Sequence, residues 1–257
     1  MNVELNMDGS VAEIVLNRPN KMNAIGAAMV KELHQCLDQA QSANPRALVL
    51  RGEGPAFCAG RDLAEADPGR EDAQAILREV FNPVILRIAD FPAPTFAAVQ
   101  GACLGVGLGL ALACDVVYAA ENAKIGSPFA RIGAVLDSGG HAFLVARAGA
   151  HRALELIYTG RLLSGKEAQA WGLVNRSVER VALLEELRAL AAAVAKGPTR
   201  AFMESKRIVR RIDEERLGLS AILDLEATAQ GAAGRTADYK EGISAFQHKR
   251  APQFLGR

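Results

Sequence analysis

Charge of one sign is what this sequence most plainly lacks. Its 257 residues carry 30 Lys plus Arg against 29 Asp plus Glu, a formal net charge of +1. No basic excess points to a nucleic-acid partner, and no acidic excess points to a solvating tail. An unbroken apolar run that would span a membrane is also missing. The longest candidate, Ala97 to Ala120, is cut by Gln100, four glycines and Asp115, and reads as a buried glycine-rich segment. The opening MNVELNMDGS shows no charged stretch followed by an apolar one, so no secretory signal is expected. Cys36, Cys58, Cys103 and Cys114 have no CxxC spacing and read as reduced thiols in a cytoplasmic protein. No cluster has metal-ligand spacing, and GVGLGL lacks the spacing and downstream acid of a dinucleotide fingerprint. Apolar bulk, by contrast, is ample. Half of the residues are hydrophobic, which excludes a disordered chain and suffices for one large domain or two small ones.

Periodicity supplies the elements. Val3, Leu5 and Met7 alternate, Asp8-Gly9 offers a turn, and Val11 to Leu16 follows, which predicts a hairpin. Met29, Leu33 and Leu37 share one face of a helix from about Ala24 to Ala43, stopped at Asn44-Pro45. Ala47 to Arg51 reads as a short strand, and the unpatterned stretch Ala64 to Asp72 as a mobile surface loop. A helix from about Glu71 to Ala89 carries Ile76, Val80, Val84 and Ile88 in register, with a kink or break near Phe81 imposed by Pro83. Strands at Thr95–Gln100 and Val116–Ala119 flank a glycine-rich bend leading into a small-residue helix. Ser164-Gly165-Lys166-Glu167 is a capping box. Helices at Val181–Lys196, Thr199–Arg211, Glu215–Gln230 and Ala237–Gln247 follow. Strands and helices alternate early and helices collect late, which predicts an α/β core followed by a helical layer.

Two glycine bends follow apolar strands: Ala59-Gly60-Arg61-Asp62 and Leu104-Gly105-Val106-Gly107. Glycine permits backbone in which successive N–H groups point outward, and a following helix adds its positive end. Two such N–H groups converging on one point form an oxyanion hole. Taken alone, the same glycines also serve tight turns and close helix packing.

The order of segments says more. LNRPNKMNAI, AFCAGRDL, APTFAAVQGACLGVGLGLALACDVVYAAENAKIGSP, ARIGAVLDSGG, YTGRLLSGKEAQAWGLVNRSV and EGISAFQHKRAPQF together resemble the enoyl-CoA hydratase/isomerase family, the crotonase superfamily, over nearly the whole chain. The resemblance implies a crotonase-like spiral of ββα units forming an acyl-CoA-binding core over residues 1–195. It implies a C-terminal helical trimerisation region over 196–257, and a homotrimer or dimer of trimers. It further implies a coenzyme A thioester as substrate, with no separate cofactor and no metal. By family position the thioester oxygen meets the backbone N–H groups of Arg61 and Val106, although most relatives carry glycine or alanine at the Val106 position. Arg18, Ala59 and Lys249 are implied as contacts of CoA, Lys249 reaching toward a neighbouring subunit.

Fold alone does not settle the reaction. Hydratases of this family use two glutamates, and the matching positions here are Gly109 and Phe129, neither of which carries a proton. Asp137 instead occupies the place where dienoyl-CoA isomerases, ring-epoxyphenylacetyl-CoA isomerases and aryl-CoA dehalogenases have a catalytic aspartate. The segment resembles the epoxyphenylacetyl-CoA isomerase group most. One carboxylate above the α- and γ-carbons can take a proton from one and return it to the other. Phe129 is expected to be an apolar wall that raises the Asp137 pKa. Read alone, Asp137 also suits a helix N-cap.

Among the other residues, His141 reads as partly buried, Asp62 as a cap, Asp115 as a structural acceptor, and Tyr158 and Trp171 as packing residues. The expected activity is acyl-CoA isomerisation. The alternatives are hydration through Asp137 and an ordered water, and a non-catalytic acyl-CoA binder. Covalent attack by Asp137 on an aryl ring needs a histidine in the helix near Phe81–Asp90, which has none.

Overall fold

A computed structural model describes residues 1–67 and 69–257. In chain order the strands are β1 (Val3–Asp8), β2 (Val11–Leu16), β3 (Ala47–Gly52), β4 (Thr95–Val99), β5 (Ala102–Leu104), β6 (Val116–Ala120), β7 (Lys124–Gly126) and β8 (Arg176–Val178). β1 and β2 form the expected antiparallel hairpin. A six-stranded sheet then continues in parallel in the order β1-β2-β3-β4-β6-β8, and β5 pairs with β7 in a separate two-stranded parallel sheet. Ala47 to Leu50 and all of β4 are buried, as strands covered on both faces require.

The helices are α1 (Ala27–Ser42), α2 (Ala73–Ile76), α3 (Asn82–Ala89), α4 (Val106–Leu112), α5 (Gly140–Ala148), α6 (Ala150–Thr159), α7 (Gly165–Ala170), α8 (Leu183–Ala195), α9 (Thr199–Glu215), α10 (Leu219–Ala233) and α11 (Ala237–Gln247). α1 begins later than the apolar spacing suggests because Ile25 is taken up elsewhere. Its N–H donates to Gly60 O at 2.8 Å, and Asp62 N–H donates to its carbonyl at 2.9 Å. The break before Pro83 is present as one π-helical turn, Leu77–Phe81, between α2 and α3. Proline offers no N–H to the preceding turn, and the wider turn absorbs the loss. The loop after β3 contains a short 3₁₀ turn at Leu63–Glu65. Pro68 of the expected surface loop lies outside the described residues.

The capping box closes as expected, with Ser164 Oγ accepting from Glu167 N–H and the Glu167 carboxylate accepting from Ser164 N–H. α9 runs past Arg211 to Glu215, helped by Arg210–Glu214 and Arg211–Glu215 pairs one turn apart.

α9 is tied to the sheet layer through Lys206, whose Nζ lies 2.9 Å from Asp115 Oδ2 and donates to Phe91 O and Ala93 O. Asp115 also accepts from Thr95 N–H at 2.8 Å, as its structural reading anticipates. Arg46 bonds to Gly197 O, Thr199 Oγ1 and Phe254 O, which fastens the tail. Two packing expectations are corrected. Tyr158 is 73% exposed, standing on the outer side of α6, and His141 is exposed on α5. Trp171 does pack, with the guanidinium groups of Arg152 and Arg161 each 4.9 Å from its ring. Among the described residues no helix is long and apolar enough to cross a membrane.

Candidate active site

The two glycine bends meet. The Phe57–Gly60 segment, outside any strand, is bridged to β5 at Cys58, with Cys58 N–H donating to Ala102 O and Leu104 N–H donating to Cys58 O, both at 2.9 Å. This brings Gly60 opposite Gly105. A Cβ on Gly60 would lie 3.1 Å from Leu104 O and 4.0 Å from Gly105 Cα. The backbones have φ of +103° and +53°, conformations suited to glycine. The next residue after each is Arg61 or Val106. Among the described residues neither of their N–H groups donates to a protein acceptor. Val106 opens α4, so its free N–H also sits at the positive helix end. Its branched side chain is 4% exposed and belongs to the core.

Several residues hold the first bend. Buried Asn23 accepts from Arg18 N–H at 2.8 Å and donates to Ala56 O and Glu53 O. Ala59 N–H donates to Met22 O at 3.0 Å. Arg18 Nη1 pairs with Asp62 Oδ2 at 2.8 Å, while Asp62 caps the following turn through Ala64 N–H, as expected of it. Sequence reasoning missed Asn23, although its place inside RPNKMNA is a usable signal. Cys58 accepts from Gly60 N–H, and burial pushes its thiol up to about 12, which leaves it protonated and unreactive.

Asp137 is half-buried just beyond buried Leu136. Burial pushes its carboxyl pKa up; the Ser138 hydroxyl and the charges of Arg61 and His141 pull the other way without cancelling it. Ser138 Oγ donates to Asp137 Oδ1 at 2.8 Å. The cap of α5 is Gly139, with no side-chain hydrogen bond, so the carboxylate is not spent on capping. The Arg61 side chain reaches Glu71, with Nη2 at 2.7 and 2.6 Å from the two carboxylate oxygens.

Both positions where hydratases carry glutamate are filled by packing. A side-chain carbon at Gly109 would lie 2.8 Å from Ser138 Cβ and 3.1 Å from Ile85 Cδ1, and closer still to Ser138 O. Phe129 lays its ring on Gly105. Lys249 is exposed beyond α11 in the C-terminal region and forms no ion pair among the described residues. A cavity of about 450 Å³ bordered by Asp238, Glu241 and Arg250 also lies in that region, and its Glu241 and Arg250 already pair with each other. Among the described residues no group of three or more His, Cys, Asp or Glu stands ready to hold a metal ion.

Comparison with known proteins adds an independent line. The family described as enoyl-CoA hydratase/isomerase matches residues 6–257. A Rhodobacter capsulatus protein named "Probable enoyl-CoA hydratase" is 40% identical over 251 residues, covering 96% of this chain and 95% of its own. The 1,2-epoxyphenylacetyl-CoA isomerase of Escherichia coli is 36% identical over 256 residues, covering 98% and 97%. Among solved structures, an enoyl-CoA hydratase from Bacillus anthracis superposes with a TM-score of 0.92 at 32% identity, covering 100% of both chains.

Proposed function

Since the chain belongs to the enoyl-CoA hydratase/isomerase family of the crotonase superfamily, we propose that it is an acyl-CoA isomerase with Asp137 as its proton shuttle. The thioester carbonyl oxygen accepts hydrogen bonds from the N–H groups of Arg61 and Val106. As the α- or γ-carbon loses its proton to Asp137, the electron pair moves into the enolate and charge settles on that oxygen, where fixed donors stabilise it. The protonated Asp137 then returns the proton at the other carbon, and the double bond shifts. Ring-epoxide isomerisation uses the same enolate and belongs to the same reading. Arg18, Ala59 and Lys249 contact CoA, and Arg18 is only part-committed to Asp62, with about a quarter of its side chain exposed.

One observation carries the reading. Among the described residues Asp137 is a half-buried carboxylate outside any ion pair, the N–H groups of Arg61 and Val106 have no protein acceptor, and Ser138 and Phe129 fill the two places from which glutamates would direct water. The core spans residues 1–195, and residues 196–257 assemble the homotrimer or dimer of trimers. That assembly is supported by α9, α10 and α11, which bury little within the chain while exposing Val209, Leu219, Leu223 and Phe246.

The test is proton exchange in heavy water. Wild-type protein with a 3-unsaturated acyl-CoA is expected to place deuterium at the α- and γ-carbons. Asp137→Asn is expected to lose about 10²- to 10⁴-fold. A product carrying oxygen from labelled water would instead assign hydration, the activity named for several relatives. Tight ester binding with no exchange would assign a binder.

A further inference from the structure

Ser138 is an unusual residue for its position. It is 3% exposed, and its backbone has φ of +54°, a left-handed conformation that glycine adopts far more readily. Glycine occupies the next two positions, yet the strained one carries a hydroxyl. Among the described residues that hydroxyl makes one hydrogen bond, to Asp137 Oδ1 at 2.8 Å. Among the described residues Asp137 Oδ2 accepts none. The conformation is held from two sides. Gly140 N–H closes the turn on Asp137 O at 2.8 Å, and the Ser138 carbonyl and Cβ press onto the bare face of α4 at Gly109.

We propose that Ser138 is the positioning residue of the site: its hydroxyl clamps Asp137 Oδ1, so that Oδ2 alone takes and returns the substrate proton. This inference rests on the reading of Asp137 as proton shuttle. The serine proton stays on Oγ throughout, and the clamp fixes the plane of the carboxylate. A carboxylate that cannot rotate presents one basic oxygen to two carbons in turn, which is what a 1,3-shift of a proton demands. Gly109 takes part through the same contact. Any side chain at Gly109 displaces Ser138. With none there, that face of α4 holds no second carboxylate to anchor a water beside the first. Among the described residues the charges that act on Asp137 are those of Arg61, itself paired with Glu71, and of His141 on α5, while Gly109 of α4 and Ile85 of α3, which pack beside Ser138, carry none.

Two variants separate the hydroxyl from the backbone. Ser138→Gly removes the hydroxyl and suits the left-handed backbone, whereas Ser138→Ala removes the hydroxyl and keeps the strain. Exchange into the acyl-CoA in heavy water is followed across pH, with the melting temperature beside it. The expected result is an acidic limb moved up by about one pH unit in both variants, because a donor to the charged form is lost. The plateau rate falls about tenfold as the carboxylate loosens. Ser138→Gly holds or gains melting temperature while Ser138→Ala does not. An unmoved limb and plateau in both variants, with Asp137→Asn inactive, overturns the clamp and leaves Asp137 standing. A loss seen only where the melting temperature falls makes Ser138 a packing residue. Full exchange in Asp137→Asn removes the shuttle and the clamp together.

Discussion

The ring of Phe129 rests on Gly105: a Cβ there would meet ring Cε1 at 3.1 Å and Cζ at 3.3 Å. The bend that presents the Val106 N–H is therefore roofed by hydrocarbon on one side and faced by Gly60 on the other. Hydrogen bonds made in such a dry place are worth more than in water. Gly105→Ala adds a methyl group under that roof and places alanine at a φ of +53°. The expected loss of stability is about 1–2 kcal/mol from the backbone alone, read by thermal unfolding. The exchange rate is expected to fall by at least about tenfold as the two N–H groups lose their alignment. A variant that melts early but exchanges at the wild-type rate would separate Gly105 from the proposed oxyanion site.

Burial of the Asp137 carboxyl costs stability. Burial raises its folded pKa above that of the unfolded chain. Between the two values the native state holds a proton that the unfolded chain has released, so stability falls as pH rises through that window and stays lower above it. A neutral amide of the same shape avoids this cost and still accepts from Ser138. Asp137→Asn is therefore expected to melt higher than wild type at neutral pH, with the gap closing as pH falls below about 4. Calorimetry across pH decides the point. Equal melting temperatures throughout would show a carboxylate well solvated in the folded protein.

Arg61 divides into two parts with separate tests. Its N–H belongs to the backbone and survives substitution, while its guanidinium pairs with Glu71 and holds the Asp137 pKa down by its charge. Arg61→Gln is expected to keep the plateau exchange rate within about threefold, because the N–H geometry is set by Gly60 and Ile25. The acidic limb is expected to move to higher pH by a fraction of a unit, since a part-exposed charge acts through partial screening. A collapsed plateau with an unmoved limb would mean that the side chain positions the bend.

Sequence patterning reached the hairpin through alternation, the buried parallel strands through short unbroken apolar runs, and the long C-terminal helices through their helical spacing, although those helices bury little within their own chain. The break at Leu77–Phe81 was legible from Pro83 alone. The start of α1 was not, since the bridge between Ile25 and Arg61 is a tertiary contact with no local signature. The glycine bends at Gly60 and Gly105 were legible as bends, but their meeting depends on β5 lying beside Cys58, which spacing does not reveal. Ser138 went unread for a similar reason. Its meaning comes from a backbone angle and from the empty face of Gly109, and both lie outside any sequence pattern. Tyr158 was misread because an aromatic on an amphipathic helix suggests a core, and α6 turns it outward.

Lys206 tests how the C-terminal helices are held. Its side chain is 10% exposed, and its ammonium joins Asp115 to two backbone carbonyls, Phe91 O and Ala93 O. Within α9 the one buried residue is Thr199 at its start, so apolar packing gives the helix little hold on its own chain. The neighbouring Arg210–Asp90 pair lies at the surface, where ion pairs are worth less than about 1 kcal/mol. Lys206→Ala leaves Asp115 and both carbonyls short of a donor, and the expected cost is about 2–3 kcal/mol. Asp90→Asn is expected to stay within about 0.5 kcal/mol of wild type. Hydrogen exchange would show the Lys206→Ala loss first in α9 and in residues 91–94. If α9 instead kept full protection while the melting temperature fell, contacts with neighbouring copies would be holding the helix, and dilution would then release it.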